Sequence, residues 1–170
     1  ITEYTQIAML TVEAAIFEAL EISGKKPQAT AGLSLGEYGA LIASKVMEPV
    51  EAFRVVRQRG IFMQEAVPTG GAMSAILGLD AAKIEEICEK TDGIVSIANY
   101  NCPGQIVITG EEAAVAKAAE GCKEAGAKRA VPLKVSGPFH SAMLRGAGEK
   151  LGKVLETAKV SEFAIPYVAN

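Results

Sequence analysis

Residues 72–135 carry the sequence pattern that most restricts the fold of this chain. Short apolar runs alternate there with longer amphipathic segments, and turn residues such as Gly104 separate them. Strands are predicted at 72–79, 94–99, 105–109 and 128–135, and helices at 81–90 and 111–125. The resulting order is β-α-β-β-α-β, which is a split βαβ unit.

The chain returns to a different arrangement on both sides of this unit. Helices are predicted at 3–22, 36–44, 49–65 and 141–158, and short strands at 27–33 and 165–168. A Pro-Thr-Gly-Gly loop at 68–71 is the best boundary candidate. We therefore predict an α/β fold in which residues 1–71 and 136–170 form one core, while residues 72–135 form an inserted ferredoxin-like subdomain.

The first predicted helix, at 3–22, is apolar around most of its circumference. Its apolar positions are Ile7, Met9, Leu10, Val12, Ile16, Phe17 and Leu20. A helix of this kind is usually buried, so we expect this one to lie in the interior.

Charge and composition exclude several classes of function. The net charge is −3 and acids are mixed with bases, which argues against nucleic-acid binding. No apolar run approaches the roughly 20 residues of a membrane span, and the acids near the start do not suit a secretory signal. Cys88, Cys102 and Cys122 lack metal-site spacing, and one histidine cannot build a His-rich site. We expect a cytoplasmic protein with free thiols.

The segment Gly32-x-Ser34-x-Gly36 lies between a predicted strand and a predicted helix. In a nucleophile elbow, a sharp turn of this kind exposes the serine side chain, and the flanking glycines allow close packing. The helix that follows directs backbone N–H groups toward the site, so the N–H of Leu35 is placed to bind an oxyanion. The alternative is an ordinary glycine-rich turn with a capping serine.

His140 is the only histidine that could serve Ser34 as a base. It lies in a predicted turn before a helix, where catalytic groups often lie, although a lone histidine is commonly a surface or capping residue. Both aspartates, Asp80 and Asp92, fall in the predicted insert. Their position does not favour a Ser–His–Asp triad. A Ser–His dyad is the more economical hypothesis.

The third predicted helix carries three arginines, Arg54, Arg57 and Arg59. A solvated helix face explains all three equally well, and spacing alone does not separate Arg59 from the other two.

Five segments together resemble the malonyl-CoA:acyl-carrier-protein transacylases of bacterial fatty-acid synthesis. They occur in family order and span nearly the whole chain: 32–38 (GLSLGEY), 59–68 (RGIFMQEAVP), 99–105 (NYNCPGQ), 125–129 (AGAKR) and 136–140 (SGPFH). Leu33 stands where many members have histidine. The family fold is a hydrolase-like α/β core with a ferredoxin-like insert, which agrees with the layout above.

The resemblance assigns roles to individual residues. It implies that Ser34 is the nucleophile, that His140 is its base and that Leu35 supplies an oxyanion N–H. Arg59 matches the arginine that binds the malonyl carboxylate, which a guanidinium fork can hold by two parallel bonds. Phe139 resembles the bulky residue of malonyl-selective members.

The resemblance also implies substrates and partners. The partners are malonyl-CoA, a coenzyme A thioester that serves as the substrate, and acyl carrier protein. The resemblance also implies that no metal or redox cofactor is needed and that the enzyme is a monomer. Family members are roughly twice as long, so the sequence is expected to be a fragment without a Gly-Gln-Gly segment and a C-terminal glutamine. Losing one oxyanion donor costs roughly 10²–10³ in rate, which would reduce turnover.

Three alternatives remain open from the sequence. A serine hydrolase or thioesterase would use the same elbow but release its acyl group to water. A non-catalytic binding module would explain residues 72–135 but leave Ser34, Arg59 and His140 without a role. The basic residues of the insert either dock an acidic carrier protein or form a solvated helix face: Lys117, Lys123, Lys128, Arg129 and Lys134.

Overall fold

The computed structural model describes residues 1–135 and 137–170 as an α/β protein. The chain divides into two compact units: Ile1–Phe62 with Glu149–Asn170 is the first, and Met63–Gly148 is the second. The predicted boundaries near residues 71 and 136 stay a prediction, and Ser136 itself lies outside the described residues.

Six helices and six strands are found in the described residues, close to their predicted positions. The helices are α1 (Thr2–Ile22), α2 (Gly36–Ala43), α3 (Pro49–Ala66), α4 (Ala81–Lys90), α5 (Glu112–Glu124) and α6 (Arg145–Leu155). The strands are β1 (Thr30–Ala31), β2 (Gly71–Leu77), β3 (Val95–Cys102), β4 (Gln105–Glu111), β5 (Arg129–Pro132) and β6 (Tyr167–Val168). A 3-10 turn at Ala142–Leu144 precedes α6.

In the first unit, α1, α2 and α3 enclose an apolar core. Its buried members are Leu10, Tyr38, Ile42, Met47, Ala52, Val55 and Val56. Leu151 and Val154 of α6 pack against the same cluster. This core fixes the helix that follows Ser34, because the inward face of α2 supplies both Tyr38 and Ile42.

The strand before Ser34 is shorter than predicted. β1 pairs in parallel with β6 over only two positions, Thr30 with Tyr167 and Ala31 with Val168. The N–H of Thr30 donates to the carbonyl of Pro166 at 2.9 Å, and proline has no N–H with which to continue the ladder. The predicted strand at 27–33 is therefore reduced to the two residues that β6 can pair.

The expectation that α1 is buried on nearly all sides is wrong. Only Thr2, Gln6 and Leu10 of this helix are buried. An apolar stripe along it is exposed, with Met9 50%, Val12 59%, Ile16 57% and Leu20 48% accessible. The apolar pattern set the helix correctly, but one face alone packs on the core.

The second unit contains a four-stranded antiparallel sheet in the order β3-β4-β2-β5. Side chains alternate between its faces. One face packs on α4 and α5 through a core formed by Ile76, Ile84, Cys88, Ile106, Ile108, Val115, Ala118 and Cys122. The other face carries Met73, Ala75 and Val107, against which Phe139 packs.

Within the described part of the chain, no helix combines the length and the apolar character needed to cross a membrane.

Candidate active site

The turn between β1 and α2 places Ser34 in an unusual backbone conformation. Its φ is 54°, in the left-handed region that L-residues rarely adopt. Among the described non-glycine residues, only Lys45 and His140 share a positive φ. Such strain is retained where the surroundings enforce it, and functional sites are a common location.

The two glycines that flank Ser34 have different roles. A Cβ atom on Gly32 would lie 2.3 Å from the backbone nitrogen of Glu37 and from the carbonyl group of Gly36, far inside contact distance. A Cβ on Gly36 would meet no atom within 4 Å. The tight approach that the elbow requires therefore depends on Gly32.

The first turn of α2 leaves one backbone donor without a partner. The N–H groups of Gly36, Glu37 and Tyr38 donate to carbonyls three residues earlier, at 3.0, 3.3 and 3.1 Å. The N–H of Leu35 makes no hydrogen bond to any part of the chain that the structure describes. It lies at the positive end of the helix, where an anion is stabilised.

Arg59 of α3 reaches the Ser34 side chain directly. Its Nη2 donates to Ser34 Oγ at 3.0 Å, and its Nη1 donates to the amide oxygen of Gln6, which is buried on α1. Burial lowers the pKa of Arg59, while the electrostatic influence of Tyr38 and Glu37 opposes that shift. A half-buried cation is thus held against the oxygen of the predicted nucleophile.

The neighbouring arginines make different contacts. Arg54 forms an ion pair with Glu51 on the same helix, with Nη2 and Oε1 2.7 Å apart. Arg57 donates to the Glu3 carbonyl at 2.7 Å and lies over the ring of Tyr4. The structure therefore separates Arg59 from two residues that spacing along the helix could not distinguish from it.

A polar network behind the turn was missed by the sequence analysis. The side-chain oxygen of Asn170 accepts the Ser34 N–H at 2.6 Å. One oxygen of Glu37, Oε1, accepts both the Asn170 N–H at 2.9 Å and the Tyr167 hydroxyl at 2.7 Å. Burial, reinforced by this hydrogen bond to Glu37, raises the pKa of Tyr167 to about 12. Ser34 and Asn170 are 136 positions apart, so no local pattern links them.

His140 belongs to the second unit, where it is exposed and has a φ of 61°. The turn that carries it is fixed by apolar packing, because the ring of Pro138 is buried against Gly71. The next residue, Ser141, caps the 3-10 turn by accepting the Met143 N–H at 3.3 Å.

The structure thus brings Ser34, Leu35 and Arg59 together in the first unit, while the pairing of Ser34 with His140 stays a prediction. Within the described residues, no three His, Cys, Asp or Glu side chains are grouped so that they could hold a metal ion.

Comparison with known proteins identifies relatives of the whole chain. The malonyl CoA-acyl carrier protein transacylase of Bacillus subtilis is 47% identical over 174 residues, which cover 100% of this chain and 55% of that protein. The protein of the same name from Escherichia coli is 47% identical over 173 residues, with 99% and 56% covered. The chain therefore spans about half the length of the curated relatives that it matches.

Solved structures give the same result at the level of the backbone. A malonyl-transacylase in complex with its type II PKS acyl-carrier protein superposes with a TM-score of 0.95 at 46% identity, covering 98% of this chain and 55% of that one. The malonyl CoA-acyl carrier protein transacylase of Clostridium perfringens gives 0.90 at 47% identity, with 95% and 52% covered. The family described as acyl transferase domain matches residues 1–169, and the chain belongs to that family.

Proposed function

We propose that this chain carries the acyl-transfer site of a malonyl-CoA:acyl-carrier-protein transacylase, with the malonyl group held as an ester on Ser34. The observation that carries the proposal is the hydrogen bond from Arg59 Nη2 to Ser34 Oγ. The names of the relatives, which include both malonyl-CoA and acyl carrier protein, support the same assignment.

The position of Arg59 suits a malonyl group for a geometric reason. In a malonyl thioester, only one methylene group separates the carboxylate from the reacting carbonyl carbon. A cation within hydrogen-bond reach of the nucleophile is therefore within reach of that carboxylate. We infer that the guanidinium exchanges its bond to Ser34 Oγ for bonds to the malonyl carboxylate when the substrate binds.

The proposed reaction has two steps, each an acyl transfer. Ser34 Oγ attacks the thioester carbonyl as His140 takes its proton, the carbon–sulfur bond breaks, and coenzyme A leaves with that proton. The thiol of the carrier's phosphopantetheine then gives its proton to His140 and attacks the ester, and His140 passes that proton to Ser34 as its carbon–oxygen bond breaks. The Leu35 N–H stabilises the oxyanion of both steps, and no metal or redox cofactor takes part.

The finer fold assignment forms part of the proposal. We infer that the second unit is a ferredoxin-like subdomain, which its strand order and antiparallel pairing support. We infer likewise that the first unit is a hydrolase-like α/β core, which is supported by the strand–turn–helix around Ser34. Cytoplasmic location and a monomeric state remain predictions from the sequence.

Two of the five basic residues in the insert are engaged in ion pairs. Lys117 contacts Asp92 at 3.0 Å, and Lys123 contacts Glu120 at 2.9 Å. Exposed pairs of this kind are typical of a solvated surface. These pairs favour a solvated helix face at Lys117 and Lys123, and docking of an acidic carrier on this stretch stays a prediction.

Mass spectrometry of the intact protein after mixing with malonyl-CoA tests the proposal. We expect one malonyl adduct on Ser34 that persists in buffer and is removed by a pantetheine thiol, with Ser34→Ala as the unreactive control. Rapid release of free malonate would identify a hydrolase or thioesterase. No adduct in the wild-type protein would favour a non-catalytic binding module.

Acyl selectivity tests the role of Arg59. We expect Arg59→Ala to lower the preference for malonyl-CoA over acetyl-CoA by roughly ten- to a hundredfold, the range for hydrogen bonds to a charged group. Arg54→Ala and Arg57→Ala are matched controls on the same helix and should keep the wild-type ratio. An unchanged ratio in Arg59→Ala would remove the proposed contact with the carboxylate.

A further inference from the structure

The contact between Asn170 and Ser34 joins distant parts of the chain at the turn that holds the nucleophile. Asn170 follows β6 in the chain, and its side-chain oxygen accepts a hydrogen bond from the Ser34 N–H at 2.6 Å. This bond holds the backbone of Ser34 and does not involve its reactive oxygen. The Ser34 side chain remains bonded to Arg59 at the same time.

The left-handed backbone of Ser34 requires such support. A single non-glycine residue in this region costs about 1–2 kcal/mol, so the turn relaxes unless its surroundings hold it. The Ser34 N–H also precedes the helix, where backbone donors have no intrahelical acceptor. Asn170 both supplies the missing acceptor and favours the strained conformation.

Glu37 fixes Asn170 from the opposite side. Its Oε1 accepts the Asn170 N–H at 2.9 Å and the Tyr167 hydroxyl at 2.7 Å, so one carboxylate oxygen ties both residues of the β6 segment to α2. Glu37 and Asn170 thereby close a ring of contacts around the turn.

We propose that Asn170 and Glu37 are positioning residues that hold the Ser34 turn in its reactive geometry, an inference that rests on the proposed acyl transfer. The contacts of Asn170 and Glu37 give the two backbone donors of the turn different roles. The Ser34 N–H is used for positioning, while the Leu35 N–H stays available for the oxyanion. Small displacements of a nucleophile cost roughly 10²-fold in rate, which sets the scale of the expected effect.

Substitutions at position 170 test the first contact. We expect Asn170→Ala to lower the rate of Ser34 acylation roughly tenfold to a hundredfold with little change in KM for malonyl-CoA. Asn170→Asp retains an acceptor oxygen and should recover part of the rate. Loss in KM alone, or no recovery with aspartate, would contradict a positioning role.

Substitutions at Glu37 test the second contact with a matched pair. Glu37→Gln keeps a carbonyl oxygen with two lone pairs and should retain most of the acylation rate, whereas Glu37→Ala should lose it. Glu21→Gln removes an exposed carboxylate that pairs with Lys45 elsewhere in the unit, and it should leave the rate unchanged. Equal losses in the Gln and Ala variants would overturn the proposal.

Amide hydrogen exchange gives a readout that does not depend on activity. In the wild-type protein the Ser34 N–H should be protected, and Asn170→Ala should speed its exchange while amides of the second unit remain unchanged. If the wild-type protein forms no malonyl ester but this protection is present and lost in Asn170→Ala, the proposed function fails and the positioning contact stands. An unprotected Ser34 N–H in the wild-type protein would refute the contact.

Discussion

The turns that carry Ser34 and His140 share a left-handed backbone but are supported in different ways. Hydrogen bonds from side chains far along the sequence hold the Ser34 turn, with Asn170 on its N–H and Arg59 on its hydroxyl. Apolar packing and local hydrogen bonds support the His140 turn: the Pro138 ring is pressed against Gly71, and the Ser141 N–H donates to the Pro138 carbonyl at 3.2 Å. Directional bonds fix the position of an atom closely, whereas packing fixes a segment as a whole. Support by directional bonds suits the nucleophile that we propose at Ser34.

The largest effect on stability is expected from a methyl group placed where Gly32 packs against the first turn of α2. Gly32→Ala would place a Cβ atom 2.3 Å from backbone atoms that cannot move without unwinding α2, so we expect a loss of roughly 3 kcal/mol or more in unfolding free energy. Urea denaturation followed by circular dichroism measures it. Gly36→Ala is the control, because its Cβ is unobstructed and alanine favours a helix. Similar losses in both variants would contradict the packing argument.

The corresponding change in the His140 turn should have a smaller effect. Gly71→Ala would bring a Cβ atom within 2.2 Å of Pro138 Cδ, and a buried ring can shift more easily than backbone. We expect a loss of about 1–3 kcal/mol in the same denaturation experiment. Gly146→Ala in α6, where nothing lies within 4 Å, is the control. A Gly71→Ala protein as stable as the wild type would show that packing does not fix this turn.

Relief of backbone strain should stabilise both turns by a modest amount. We expect Ser34→Gly to be about 1–2 kcal/mol more stable than Ser34→Ala, because only glycine adopts a positive φ without cost. His140→Gly should exceed His140→Ala in the same way. Lys45 has a φ of 63° and no proposed role in the site, so the difference in stability between Lys45→Gly and Lys45→Ala serves as the reference. The thermal or urea midpoints of the glycine and alanine variants at these three positions measure the difference. An alanine variant that is more stable than its glycine counterpart would show that the backbone there is not strained.

The smallest effect concerns alkaline pH and the network behind Ser34. The pKa of Tyr167 is raised to about 12, so the folded protein keeps this proton after the unfolded chain has lost it near pH 10. Stability should therefore fall between about pH 10 and 12, and Tyr167→Phe should reduce that slope. Absorbance of tyrosinate gives a direct check, since Tyr167→Phe should remove a late-titrating group. Because burial also raises the pKa of Tyr38, the comparison is with the variant: a Tyr167→Phe protein that loses an early-titrating group instead would contradict the raised pKa of Tyr167.

The sequence predicted the elements and the turn better than it predicted the contacts between them. Alternating apolar runs are local signals, and the helices and strands accordingly lie near their predicted positions. The glycine at position 32 could also be anticipated, because a tight strand–helix turn requires it. Local signals of this kind do not show which face of α1 is covered, and its stripe of Met9, Val12, Ile16 and Leu20 proved exposed.

The remaining features depend on tertiary structure. Arg54, Arg57 and Arg59 look alike in their spacing on α3. The family resemblance alone singled out Arg59 in the sequence, and the packing of α3 places this residue beside Gln6 and Ser34. The hydrogen bond from Ser34 to Asn170 spans 136 positions, and no periodicity or spacing encodes it. Charge and polarity identify candidates, but the fold selects among them.

The parallel pairing of β1 with β6 has a consequence for the order of events during synthesis. Thr30 can find its partner Tyr167 only after the whole second unit has left the ribosome, because 135 residues separate the two strands. The second unit, Met63–Gly148, is continuous in sequence and can acquire its sheet earlier. We therefore expect the nascent chain to complete the Ser34 turn after the second unit, so that ribosome-bound intermediates hold a folded second unit and an unformed Ser34 turn.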